Sequence, residues 1–130
     1  MRPDTKNWIE SAGYDLETAR HMLSSGRYIY VVFLCHLALE KLLKALATEV
    51  HDSPAPRSHD LIYLIKQANA IPDLGLYEFV SKLNNASVPT RYPDDLKRTL
   101  SEYTEQVATS YLKQTKEVAE WLTSHPKLKE

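Results

Sequence analysis

Glycine, cysteine and phenylalanine are scarce in this chain. Three glycines, one cysteine and two phenylalanines occur among its 130 residues. So few glycines, with no alternating apolar pattern between turn dipeptides, exclude a sheet built from hairpins. The single thiol, Cys35, excludes an internal disulfide. It lies in the most apolar segment, where it reads as a small buried hydrophobe rather than a nucleophile, in keeping with a reducing compartment. Charge of one sign is also missing. Sixteen Lys and Arg against 17 Asp and Glu give a formal charge of −1, so nothing global draws the protein to nucleic acid, although a local basic patch is compatible with this balance. The apolar run around Val31–Leu39 is broken by His36, Glu40 and Lys41 too soon for a membrane span, and the N-terminal MRPDTKNWIESAGY has no apolar signal core. The expectation is a soluble, cytoplasmic protein. There is no glycine-rich phosphate loop, serine elbow or internal repeat. His51, Asp52, His59 and Asp60 straddle Pro54-Ala55-Pro56 without a metal-ligand register, so no metal site is expected.

Helical periodicity dominates what remains. The segment Tyr30–Ala47 is apolar almost all round, as expected of the central strut of a bundle, and a helix from Tyr28 to Val50 is predicted. A first helix is predicted from Asn7 to Ser24, with Trp8, Ala12, Leu16, Ala19 and Leu23 on one face. Asp4 or Thr5 would cap it, and Gly26 would end it. A shorter helix follows Ser58-His59-Asp60, and a fourth is marked by Leu76, Tyr77, Val80 and Leu83. Asn84–Asp95 has the composition of a loop. A last helix runs from Lys97 to Ser124 with a stripe that includes Leu100, Tyr103, Tyr111 and Trp121, before a frayed end. The seven prolines are expected to fall outside the long helices. The prediction is one all-α domain over residues 1–130, an up-and-down antiparallel bundle of four main helices plus a shorter one.

Three groupings could carry chemistry. His36, Glu40 and Lys44 stand four residues apart and share one side of a helix. On so apolar a helix that row must find partners or open into a cleft. Its structural reading is an i,i+4 pair, with Lys41 reaching solvent. Its functional reading has Lys41 and Lys44 facing a phosphate-bearing ligand, with Glu40 holding one of them. Arg57-Ser58-His59-Asp60 opens a helix, where free backbone N–H groups attract anions and where a plain cap by Ser58 or Asp60 would also fit. In Thr90-Arg91-Tyr92-Pro93-Asp94 the proline holds Tyr92 extended and fixes the direction of Arg91, a guanidinium suited to phosphate. An ion pair of Arg91 with Asp94 or Glu40 is the structural alternative.

Taken together, these segments resemble the prokaryotic HEPN domain, in particular its small single-domain members that accompany a minimal nucleotidyltransferase. The resemblance rests on Trp8, Ala12, Asp15-Leu16 and Ala19, then Cys35-His36 with Glu40-Lys41-Leu42-Leu43-Lys44, then Ser58-His59-Asp60-Leu61, then Arg91-Tyr92-Pro93-Asp94. It implies a helical bundle similar to the substrate-binding domain of antibiotic nucleotidyltransferases. It also implies a homodimer that partners a minimal nucleotidyltransferase, sometimes as the toxin of a toxin–antitoxin pair. Catalytic HEPN ribonucleases carry an arginine followed after about four to six residues by a histidine, which would handle protons while the arginine steadies phosphate charge. Here Arg91 is followed by YPDDLKRTL, and no arginine has a histidine at that spacing.

The expectation is therefore a binding subunit with no cofactor beyond a bound nucleotide. Its ligand site would draw on Glu40, Lys41, Lys44, His59, Arg91, Tyr92 and Asp94. An RNA-cleaving toxin using Arg91 with His59 as its catalytic pair is the rival reading. A third is a plain interaction module presenting Tyr14, Tyr28, Tyr30, Tyr63 and Trp121.

Overall fold

The structure, a computed structural model, describes residues 1–129. Among them there are helices and no strands: α1 (Pro3–Ser24), α2 (Tyr28–His51), α3 (Leu61–Gln67), α4 (Leu74–Arg91), α5 (Leu96–Glu102) and α6 (Glu105–Thr123), closed by a 3-10 turn at Pro126–Leu128. The expected all-α bundle is present. Its long members are α1, α2, α4 and α6, with two short helices, α3 and α5, where one was anticipated.

Helix α2 is the strut, and α1, α3, α4 and α6 all pack on it. Val31, Val32, Cys35, Leu39, Leu43 and Leu46 are buried, as are Ala12 and Ala19 of α1, whose small side chains let α1 lie close. Fully burying a leucine contributes about 1.5–3 kcal/mol, so this helix carries much of the fold's stability. Cys35 is enclosed, and burial pushes its thiol up to about 11, which leaves it inert at neutral pH. No helix is long and apolar enough to cross a membrane among the described residues.

Four boundaries differ from the sequence expectation. Helix α1 starts at Pro3, which suits the first helical position, and Thr5 is buried rather than capping. Its hydroxyl meets that of Thr48 at 2.6 Å and donates to Glu49 Oε2 at 2.6 Å, tying α1 to the far end of α2.

The segment expected as a loop is largely helix. Helix α4 runs on to Arg91 because Leu83, Ala86 and Thr90 continue its buried stripe. Pro89 therefore lies inside a helix, in its last turn; it lacks the N–H that would reach four residues back, but the Tyr92 N–H still bonds the Val88 carbonyl at 2.8 Å. The Thr90 hydroxyl turns back to the Ala86 carbonyl at 2.7 Å, and the Ser87 hydroxyl to that of Asn84 at 2.8 Å.

The last predicted helix is two. It breaks at Tyr103, and Thr104 starts α6 by accepting the N–H of Val107 at 3.3 Å. Leu100, assigned to the apolar stripe, falls on α5 and is exposed. The C-terminal end does not fray over the described residues, because Leu128 is buried against α2.

Candidate functional site

The charged row of α2 finds partners rather than solvent. Its centre is Glu40, only 3% exposed. One carboxylate oxygen, Oε2, accepts from Lys44 Nζ at 3.1 Å, one turn further along the same helix. The other, Oε1, faces Nδ1 of His59 at 2.9 Å. His36 Nδ1, one turn back, lies 4.0 Å from that same oxygen. Lys44 is itself 7% exposed, and its ammonium lies 5.4 Å from the centroid of the Trp8 ring. A buried carboxylate with a buried ammonium is tolerable only with such close partners.

His59 reaches Glu40 from the loop before α3, with 72% of its side chain in solvent. The cap of α3 positions it. Asp60 accepts the N–H groups of Ile62 and Tyr63, and Ser58 Oγ accepts the N–H of Asp60. Both residues expected at this helix start are used, with Asp60 as the N-cap.

Asn84 of α4 binds the arrangement together. Its Oδ1 accepts the Leu61 N–H at 3.0 Å and lies 3.3 Å from His36 Nε2, while its Nδ2 donates to Asp60 Oδ1 at 3.1 Å. Asn84 is not among the residues expected from sequence because the stretch from Asn84 to Asp95 has the composition of a loop. The signal that finds it is the spacing Leu83, Ala86, Thr90, which keeps this segment helical.

His36 is 1% exposed, and its pKa is lowered. Burial is the main cause, offset in part by Asn84 and Glu40 and reinforced by the nearby charges of Arg91 and His59. His36, Glu40, Lys44, His59, Asn84 and Arg91 thus form one electrostatic group.

Arg91, at the end of α4, places its guanidinium over the ring of Phe33, 4.6 Å from the centroid. Its Nε is buried without a hydrogen-bond partner, and it makes no ion pair among the described residues. Neither Asp94 nor Glu40 neutralises it.

The remaining expected residues lie elsewhere. Lys41 faces α1, with Nζ 2.8 Å from Asp15 Oδ2 and 2.6 Å from Ser11 Oγ. Tyr92, 73% exposed, and Asp94 line a surface cavity of about 390 Å³ with Pro89, Arg98 and Glu102, and Lys44, His59 and Arg91 do not line it. No group of three or more His, Cys, Asp or Glu side chains is arranged to hold a metal among the described residues.

The sequence profile of the HEPN domain matches residues 5–125. The chain belongs to the HEPN family. Among solved structures, this HEPN chain is similar to TT1696 from Thermus thermophilus, with a TM-score of 0.78 and 23% identity over 95% of this chain and 98% of that one. It is likewise similar to ST0689, described as an archaeal HEPN homologue, with a TM-score of 0.76 and 26% identity over the same shares. No curated protein matches it in sequence.

Proposed function

We propose that this HEPN protein is a binding subunit that takes the phosphate-bearing part of a nucleotide at the face formed by His59 and Arg91, and that it works with a minimal nucleotidyltransferase. Arg91 is the observation that carries this reading. It is a permanent cation fixed on an aromatic ring, with a buried Nε left unpartnered and no carboxylate beside it. Its Nε is enclosed, so the two Nη groups are the donors it would offer a phosphate. His59 adds an exposed imidazole oriented by Glu40. Lys44 contributes field from below rather than contact, since Glu40 and Trp8 enclose it.

Calorimetric titration with nucleoside triphosphates tests the reading. Arg91→Ala is expected to weaken binding about tenfold or more, as for loss of a charge-assisted contact, with helical content unchanged. Equal affinity in wild type and variant would remove the basis for this site. Partnership is tested by co-purification of the tagged chain from its native cells. A nucleotidyltransferase should be recovered in near-equal amount. If metal-free protein instead cleaves RNA, and His59→Ala abolishes the cleavage, the ribonuclease reading replaces this one.

A further inference from the structure

A second concavity, sharing no residue with the Glu40 group, opens between the C-terminal half of α2, the turn after α3 and the end of α6. Its volume is about 360 Å³, at the small end of the range for small-molecule sites. Leu46, Ile71 and Trp121 supply its apolar walls, and Ile71 is 89% exposed with nothing covering it.

Two polar side chains on this lining reach solvent, Asn69 exposed and His125 half-buried. Asn69 holds a left-handed backbone, φ 52°, fixed by its N–H to the Lys66 carbonyl at 3.1 Å. The following N–H, of Ala70, bonds the Ile65 carbonyl at 3.0 Å. The turn is therefore rigid, while the Asn69 side-chain amide has no hydrogen-bond partner among the described residues. His125 accepts the Lys127 N–H at Nδ1, 3.0 Å, so its neutral ring carries the proton on Nε2 as an unpartnered donor. The Ser124 hydroxyl is already given to the Trp121 carbonyl at 2.7 Å.

We infer that this cavity binds a planar nitrogen heterocycle of nucleobase type. The ring lies against Trp121 and Ile71, the Asn69 amide pairs with an edge that presents a donor beside an acceptor, and His125 Nε2–H donates to a further acceptor. An amide offers one donor and one acceptor side by side, which is the complement of such an edge. Stacking on an aromatic side chain supplies the non-directional part of the attraction. An acyl chain would leave both polar groups desolvated and unpaired. A free phosphate would find no lysine or arginine on this lining. The inference does not rest on the phosphate-binding reading of Arg91.

The test is a titration of the full-length, ¹⁵N-labelled chain with adenosine, cytidine and a short single-stranded oligoadenylate. The Trp121 indole and Asn69 amide resonances are expected to shift. Asn69→Gly, which suits the left-handed backbone, and His125→Ala should each weaken binding about tenfold, as for loss of one hydrogen bond. With the two nucleosides, which carry no phosphate, Arg91→Ala should leave these shifts unchanged. Saturation by a nucleoside identifies a free heterocycle as the ligand, and shifts with the oligonucleotide alone identify a base within a strand. No shift with any probe at millimolar concentration overturns the inference. So does an affinity that both substitutions at Asn69 and His125 leave unaltered.

Discussion

Glu40 and Lys41 are neighbours in the chain, and α2 sends them into two differently built charge groupings. On the α1 side, Lys41 meets one carboxylate, Asp15, and one hydroxyl, Ser11. That grouping is closed: one cation, one anion, both largely enclosed. On the other side, a single buried carboxylate serves Lys44 and His59, with His36 beside it and Arg91 close enough to act on His36. Asp60 joins the same network through Asn84, so several charges of both signs share it. A balanced pair fastens two helices together. Of these cations Arg91 alone stands in no ion pair among the described residues, so under the proposed reading it, and not Lys41, is the one available to an anion from outside.

The largest expected effect comes from removing the anion in the crowded grouping. Glu40→Gln keeps the shape of the side chain but strands the buried Lys44 ammonium, and about 3–5 kcal/mol should be lost in urea unfolding. A loss below about 1 kcal/mol would mean that Lys44 escapes to solvent. Lys41→Met is the matching change on the closed side. It should cost about 2 kcal/mol by the same measurement, with nucleotide affinity unaltered. A parallel drop in affinity would dissolve the distinction between the two sides.

Acid should also act unequally. In the unfolded chain His36 takes a proton near 6.5, whereas burial resists that proton in the folded state. The unfolded state therefore binds more protons below that pH. The stabilisation tied to a neutral His36 is full above about pH 6.5 and is lost as the pH falls from there toward the lower folded value. Unfolding free energies of wild type and His36→Gln, compared between pH 7 and pH 5, should show a shallower acid decline in the variant. Identical slopes would discount His36 as an acid-sensitive element. The smallest effect is expected at Tyr92, which is mostly in solvent. Tyr92→Ala should change thermal stability by no more than about 0.5 kcal/mol.

The architecture was readable because α2 is apolar on nearly every side, and α1 repeats its buried residues at three- and four-residue steps. Both signals are local. The polar row on α2 was readable for the same reason, but its meaning was not, since His59 arrives from 19 residues away and Asn84 from beyond α3. Asn84–Arg91 misled because its composition is that of a loop. Ser87 and Thr90 spend their hydroxyls on the helix's own carbonyls, and Asn84 spends its amide on α3. The same residue types would form turns if those acceptors were not in reach. The break before α6 was hidden by an apolar stripe that continues through Tyr103, where Thr104 supplies a cap that periodicity alone does not register.

The joint between α1 and α2 is three residues long and turns on Gly26 at φ 79°. So short a joint leaves little loop to close, and the contacts beside it are close in sequence, although Thr5 and Thr48 at the far ends are 43 residues apart. This hairpin is expected to be the folding nucleus, with α3 and α4 arriving afterwards onto a finished surface. Stopped-flow kinetics of Gly26→Ala, which strains the joint, should show slower folding and little change in the unfolding rate. A change confined to unfolding would place the hairpin late. With the hairpin first, Glu40 and Lys44 are paired along α2 before His59 and Arg91 come near, so the order of assembly protects the buried carboxylate from ever standing alone.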